Sequence, residues 1–123
     1  MNTPVVFAFD EDGAIIPFAS MEAAQLEFEG VDVEDGVVKF YGRDGSRLEP
    51  VFDIPNKRRK ILGLFGWSVS GRYRLVPSNR SDEDPFALAL HEARYLKPNP
   101  WFGTISDLKA KLAAEGVQVE LQP

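Results

Sequence analysis

An apolar run near the start of this chain ends in Asp10-Glu11-Asp12-Gly13. Carboxylates at the mouth of a strand are among the few groups here whose type could carry chemistry. The rest of the inventory is narrow. The chain of 123 residues has no cysteine and a single histidine, His91. That excludes disulfides, thiolate zinc sites, cysteine nucleophiles and any site needing two imidazoles. Chemistry is left to carboxylates, hydroxyls, lysines, arginines and one imidazole. His91 has no Gly-x-Ser-x-Gly turn to serve and reads as a surface or boundary residue. No residue is assigned a catalytic or metal-binding role, and no cofactor is expected.

Charge is unevenly distributed. Residues 1–54 hold twelve acids and three bases, a balance of −9, whereas residues 55–123 hold seven acids and eleven bases, a balance of +4. The densest acidic stretch runs through Glu22, Glu27, Glu29, Asp32, Glu34 and Asp35. A metal site needs carboxylates converging on one point, whereas these span a helix end and its exit loop. They form either a solvated surface or a face that meets a basic protein. Glu27, Glu29, Asp32, Glu34 and Asp35 are the partner-binding candidates. The one basic run, Lys57-Arg58-Arg59-Lys60, could touch phosphate and could be extended by Arg72 and Arg74. With an overall charge of −5 the chain is a poor nucleic-acid binder, and the run reads as an exposed loop. Trp101-Phe102, between Pro100 and Gly103, could anchor a partner. Burial against the sheet is favoured by the area these rings carry.

The elements that must position these groups are read from periodicity and turn chemistry. Asp12-Gly13, Asp35-Gly36 and Asp44-Gly45 are turn signals, two of them between alternating apolar segments, because Asp and Gly tolerate the positive φ of tight reversals. Strands are expected at Val5–Phe9, with Val5, Phe7 and Phe9 on one side, at Ala14–Phe18, at Val37–Tyr41 and at Arg47–Ile54. Pro17 places the second near an edge, and Pro50 marks an edge or bulge in the last. Trp67–Leu75 alternates Trp67, Val69, Gly71, Tyr73 and Leu75 with Ser68, Ser70, Arg72 and Arg74. It reads as a strand with one face buried, and Gly71 marks a bend or close backbone approach. Ser20 caps a helix with inward Met21, Ala24 and Phe28 that stops at Gly30. A second helix starts at Ser81–Pro85 and runs to about Lys97, with Phe86, Ala89, Leu90 and Ala93 inward. Thr104 and Asp107 form a capping box opening a third helix to Glu115, ended by Gly116, with Ile105, Leu108 and Leu112 buried. Val117–Leu121 reads as a last strand. The sum is one α+β domain over residues 1–123, a mainly antiparallel sheet of five to six strands with two to three helices packed on it.

Two resemblances bear on function. Phe7-Ala-Phe-Asp-Glu-Asp-Gly-Ala-Ile15 resembles the first motif of the haloacid dehalogenase superfamily, which implies Asp10 as phosphoryl-accepting nucleophile and Asp12 as acid/base beside magnesium. Ala14 stands where that family usually has Thr. Its core also needs a parallel α/β sheet, a downstream lysine and a second acidic pair. Asp82 and Asp84 offer that pair but read better as helix-start acids, and the motif reads as a hairpin turn. The general character of the chain, acidic, cysteine-free and α+β, with the run LEFEGVDVEDGVVKFYGRDGSRL, resembles bacterial immunity proteins of polymorphic and contact-dependent toxin systems. That resemblance implies a non-enzymatic protein that binds and neutralises a cognate toxin domain, often a basic nuclease. The alternatives are a small magnesium-dependent phosphotransfer or ligand-binding domain using Asp10 and Asp12, and an adaptor or structural subunit docking through Trp101 and Phe102. No nucleic-acid or membrane partner is expected, and the chain is read as a monomer or weak dimer. Acids follow the first apolar stretch and no positive segment precedes it, so a cytoplasmic location is expected.

Overall fold

Val6–Asp10 form β1, and the run Val6-Phe7-Ala8-Phe9 is buried throughout. A strand apolar at every position needs cover on both faces, and it has it. The architecture is that of a computed structural model, which describes residues 3–61, 65–79 and 84–121. After β1 come β2 (Ala14–Phe18), α1 (Met21–Glu27), α2 (Gly30–Glu34), β3 (Val38–Gly42) and β4 (Arg47–Ile54). Then follow β5 (Lys57–Ile61), β6 (Phe65–Val69), β7 (Arg72–Pro77), α3 (Phe86–Glu92), β8 (Tyr95–Leu96) and α4 (Ile105–Ala114).

Six strands form one sheet in the order β7-β4-β3-β1-β2-β8, while β5 and β6 form a separate hairpin. The large sheet is antiparallel except for the short parallel pairing of β2 with β8. Its two faces carry two cores. Phe7, Phe9, Ile15 and Tyr41 point toward α3 and α4, meeting Leu90 and Leu108. Val6, Ala8, Phe40 and Leu75 point the other way, toward Ala24 of α1 and Val33 of α2. The fold is therefore three-layered, with α1–α2 on one face and α3–α4 on the other. Val5, placed on one side with Phe7 and Phe9, is 37% exposed and precedes β1, which begins at Val6.

The hairpin turns behave as their chemistry requires. Asp10 Oδ1 accepts from the amides of Asp12 and Ala14 at 3.0 and 2.9 Å, and Gly13 turns the corner at φ +91°. Asp44 Oδ1 accepts from the Ser46 amide and hydroxyl. Those two bonds hold its carboxyl below the usual carboxylate range. Pro17 lies beyond the β2–β8 pairing, at the sheet edge. Pro50 lies beyond the β3–β4 pairing, which ends at Leu48, while the register shift in β4 falls between Phe52 and Ile54.

Several expectations are corrected. Trp67–Leu75 is not one strand. β6 and β7 belong to different sheets and part at Ser70-Gly71, where a Cβ on Gly71 would lie 1.8 Å from the Ile54 carbonyl oxygen. Tyr73 and Leu75 are buried with Arg72 and Arg74 outside, as alternation requires, but Val69 is 54% exposed. The basic run is not a loop but the backbone of β5; the side chains of residues 58–61 and 65–68 lie outside the described set, Trp67 included. Gly30 does not stop the first helix: α1 ends at Glu27 with Phe28 as its C-cap, and Gly30 is the first residue of α2. α3 ends at Glu92 rather than near Lys97, because the Arg94 and Tyr95 amides donate to Gly13 O and the Lys97 amide to Ile15 O. The expected helix start at Ser81–Glu83 lies outside the described residues. Val117–Leu121 pairs with no strand among the described residues, though Val119 is buried in the α3–α4 core.

Candidate functional site

The partner-binding candidates sit on an elbow. Ser20 Oγ caps α1 by accepting from the Ala23 amide at 3.0 Å. α1 runs only to Glu27, and Phe28 and Glu29 are extended, at φ −111° and −69°, before α2 begins. Phe28 pins the bend, its ring meeting Phe18 and Phe40 edge-on at 6.0 and 5.7 Å. Its carbonyl accepts the Tyr73 hydroxyl at 2.9 Å. Gln25 Oε1 accepts the outward Leu75 amide of β7 at 2.9 Å, so α1 also closes that sheet edge. With Ala24, Gly30 and Val33 buried, Glu27, Glu29, Asp32, Glu34 and Asp35 are all exposed. The elbow thus presents the five carboxylates to solvent on a backbone fixed from beneath. Among the described residues Glu27, Glu29 and Asp32 have no ion-pair partner.

The rest of the sequence's charge asymmetry does not survive folding as two faces. Lys39 pairs with Asp84 at 2.9 Å, and Arg43 pairs with Glu115 while donating to Pro4 O at 2.9 Å. Asp53 faces Arg72 and Arg74 at 4.0 and 3.6 Å. Two of these pairs join first-half bases to second-half acids and the third joins the first-half Asp53 to second-half arginines, so the two sequence halves interleave on the surface.

The β1–β2 turn opens on a cleft of about 530 Å³, bounded by Asp10, Asp12, Lys39, Asp84, Glu92 and Arg94. Asp10, Asp12 and Asp84 therefore do share a cavity. Their roles are restricted, however. Asp10 Oδ1 is committed to two turn amides, and Asp84 is held by Lys39. The Tyr41 hydroxyl, whose burial pushes its pKa up, donates to Asp84 O at 2.7 Å and anchors that segment. Among the described residues no three His, Asp or Glu side chains are grouped to hold a metal ion. Asp82 lies outside the described set.

Phe102 is buried and Trp101 packs against the same core, so this pair is used for packing. Lys111 lies over the Phe102 ring at 5.6 Å. His91 is exposed near the end of α3. No helix of the described residues is long and apolar enough to cross a membrane.

One feature was missed at the sequence level. A second groove, about 400 Å³, runs between α1 and the β6–β7 joint, with Leu26, Phe28 and Tyr73 as its apolar walls. Leu26 is 88% exposed. The available signal was its place in the helix: position 26 falls off the Met21, Ala24, Phe28 stripe, where a leucine gains nothing from the core.

No family model matches this chain, nor does any curated protein or solved structure. The functional reading therefore rests on the elbow and the clefts themselves.

Proposed function

We propose that this chain is a non-enzymatic binding protein that docks its α1–α2 elbow against a basic protein surface, as an immunity protein docks on the toxin domain it neutralises. The observation that carries the reading is the elbow: five exposed carboxylates within nine residues, on a backbone that the Phe28 and Tyr73 contacts fix in advance. A preorganised charged face steers a partner of opposite sign and loses little entropy on binding. The test is association kinetics with the toxin domain encoded beside this chain, at low and high salt. Rim charges act chiefly on the association rate, so replacing Glu27, Glu29 and Asp32 with Lys should slow association by on the order of tenfold and flatten its salt dependence. Unchanged rates would remove the elbow from the interface. Absence of any complex with that neighbour would sink the immunity reading.

A second reading is favoured by one observation: Asp10, Asp12 and Asp84 line one cleft. A magnesium-dependent phosphotransfer or ligand-binding domain would use Asp10 and Asp12 there. Magnesium-dependent hydrolysis of a generic phosphoester, abolished by Asp10→Asn, would establish it over the binding reading.

A further inference from the structure

The groove beside α1 is built, not incidental. Two of its lining residues, Gly30 and Gly71, are clamped together by Asn56, whose Nδ2 donates to Gly30 O at 3.0 Å and whose Oδ1 accepts from the Gly71 amide at 2.7 Å. Ser70 Oγ accepts from the Val31 amide at 3.3 Å. One asparagine thus ties the start of α2 to the joint between β6 and β7. A Cβ on Gly30 would meet Asn56 Oδ1 at 2.6 Å, so the approach is tight. Leu26, Phe28 and Tyr73 give the groove its apolar walls.

Charge sits at the mouth. Glu22 and Glu29 line the groove, and neither has an ion-pair partner among the described residues. Glu29 occupies the N-cap position of α2, yet its side chain makes no capping bond. The groove's cation, Arg72, lies 4.0 Å from Asp53. An apolar slot with two available carboxylates at its rim asks for an occupant with an apolar stem and a cationic head.

We infer that this groove takes an arginine side chain from the basic partner, with its methylenes against Leu26, Phe28 and Tyr73 and its guanidinium on Glu22 and Glu29. This rests on the reading of the elbow as a docking face, whose acids continue directly into the groove through Glu29. Arginine fits better than lysine for physical reasons. Its planar head is more weakly hydrated, stacks on aromatic rings and offers a fork of donors to two carboxylates. An arginine seated in a desolvated pocket inside a charged rim is also the usual composition of an interface hot spot. The elbow acids would then set the encounter rate, and the groove the lifetime of the complex.

The experiment is an amide NMR titration of the full chain with N-acetyl-arginine methylamide, alongside the lysine and norleucine analogues. Saturable shifts are expected at Gln25, Leu26, Gly30, Gly71 and Arg72, with the arginine compound binding about fivefold or more tighter than norleucine. Glu22→Gln with Glu29→Gln should reduce it to the norleucine level, and Leu26→Ser should weaken it by about tenfold. All three side chains are exposed, so unchanged thermal unfolding of these variants checks that the fold is kept. Equal binding of norleucine, shifts elsewhere, or no saturation would overturn the inference. So would Leu26-dependent self-association of the chain alone, which would make a second copy the occupant. Against the basic partner, Leu26→Ser should speed dissociation about tenfold while leaving association nearly unchanged. A partner that binds equally well without Leu26 refutes the groove and leaves the docking reading standing. Arginine binding in the groove without any complex with the neighbouring toxin does the reverse.

Discussion

Raising the pH is expected to loosen the α1–α2 elbow through a single proton, that of Tyr73. This phenol is buried among Phe28, Phe52 and the β4–β7 pairing, and it donates to the Phe28 carbonyl at 2.9 Å. Burial pushes its pKa from 10.0 up to about 12, because a phenolate there would be stripped of water and would face a carbonyl oxygen. The folded protein therefore holds this proton more tightly than the unfolded chain does. The stabilisation is fully present below pH 10 and is lost as pH rises through about 12. The gap between the two values corresponds to about 3 kcal/mol, a large part of the stability of a domain this size. Tyr41 is also raised by burial, so alkaline sensitivity alone is not diagnostic; the comparison with Tyr73→Phe is. At neutral pH that variant should lose about 1 kcal/mol, since Phe28 O loses its donor. Between pH 10 and 12 the wild type should fall toward the variant and then below it. Urea unfolding across that range measures both curves. Curves that stay parallel would refute the claim that this proton is held by folding.

Three further substitutions test the framework of the site. Asn56→Ala should cost about 2 kcal/mol, because Gly30 O and the Gly71 amide lose their partner together; a shift in urea midpoint without a change in slope measures it, and a loss below about 0.5 kcal/mol would remove the clamp. Gly71→Ala should cost about 3 kcal/mol or prevent folding, since its Cβ would sit 1.8 Å from Ile54 O, and a variant as stable as the wild type would mean that the strands do not approach there. Thr104→Ala should cost about 1 kcal/mol of thermal stability by uncapping α4, while Thr104→Ser keeps the 3.0 Å bond to the Asp107 amide and should be nearly neutral.

Local chemistry determined much of this protein. Ala14–Phe18 and Arg47–Ile54 appear as strands with the bounds that alternation and the Asp-Gly turns predict. Ser20 and Thr104 cap helices because a hydroxyl three residues before a free amide has no better partner. The exposure of the five elbow acids follows from their charge, which water solvates more cheaply than any core. What only the tertiary structure decided lies where distant segments compete with local preference. Residues 93–97 carry a helical pattern, yet the Arg94, Tyr95 and Lys97 amides are drawn to Gly13 and Ile15, some eighty residues earlier. Trp67–Leu75 alternates as one strand, but the approach of Ile54 to Gly71 breaks it between two sheets. Gly30 reads as a stop, yet α2 starts there, with its carbonyl tied to Asn56 from beyond β4. The groove itself belongs to this second kind. Leu26 announced itself only as a leucine out of place, and it needed Tyr73, Asn56 and Gly71 from beyond α2 to become a wall. Periodicity records which side of an element is apolar. It does not record which neighbour arrives to cover that side, and at Leu26 none does.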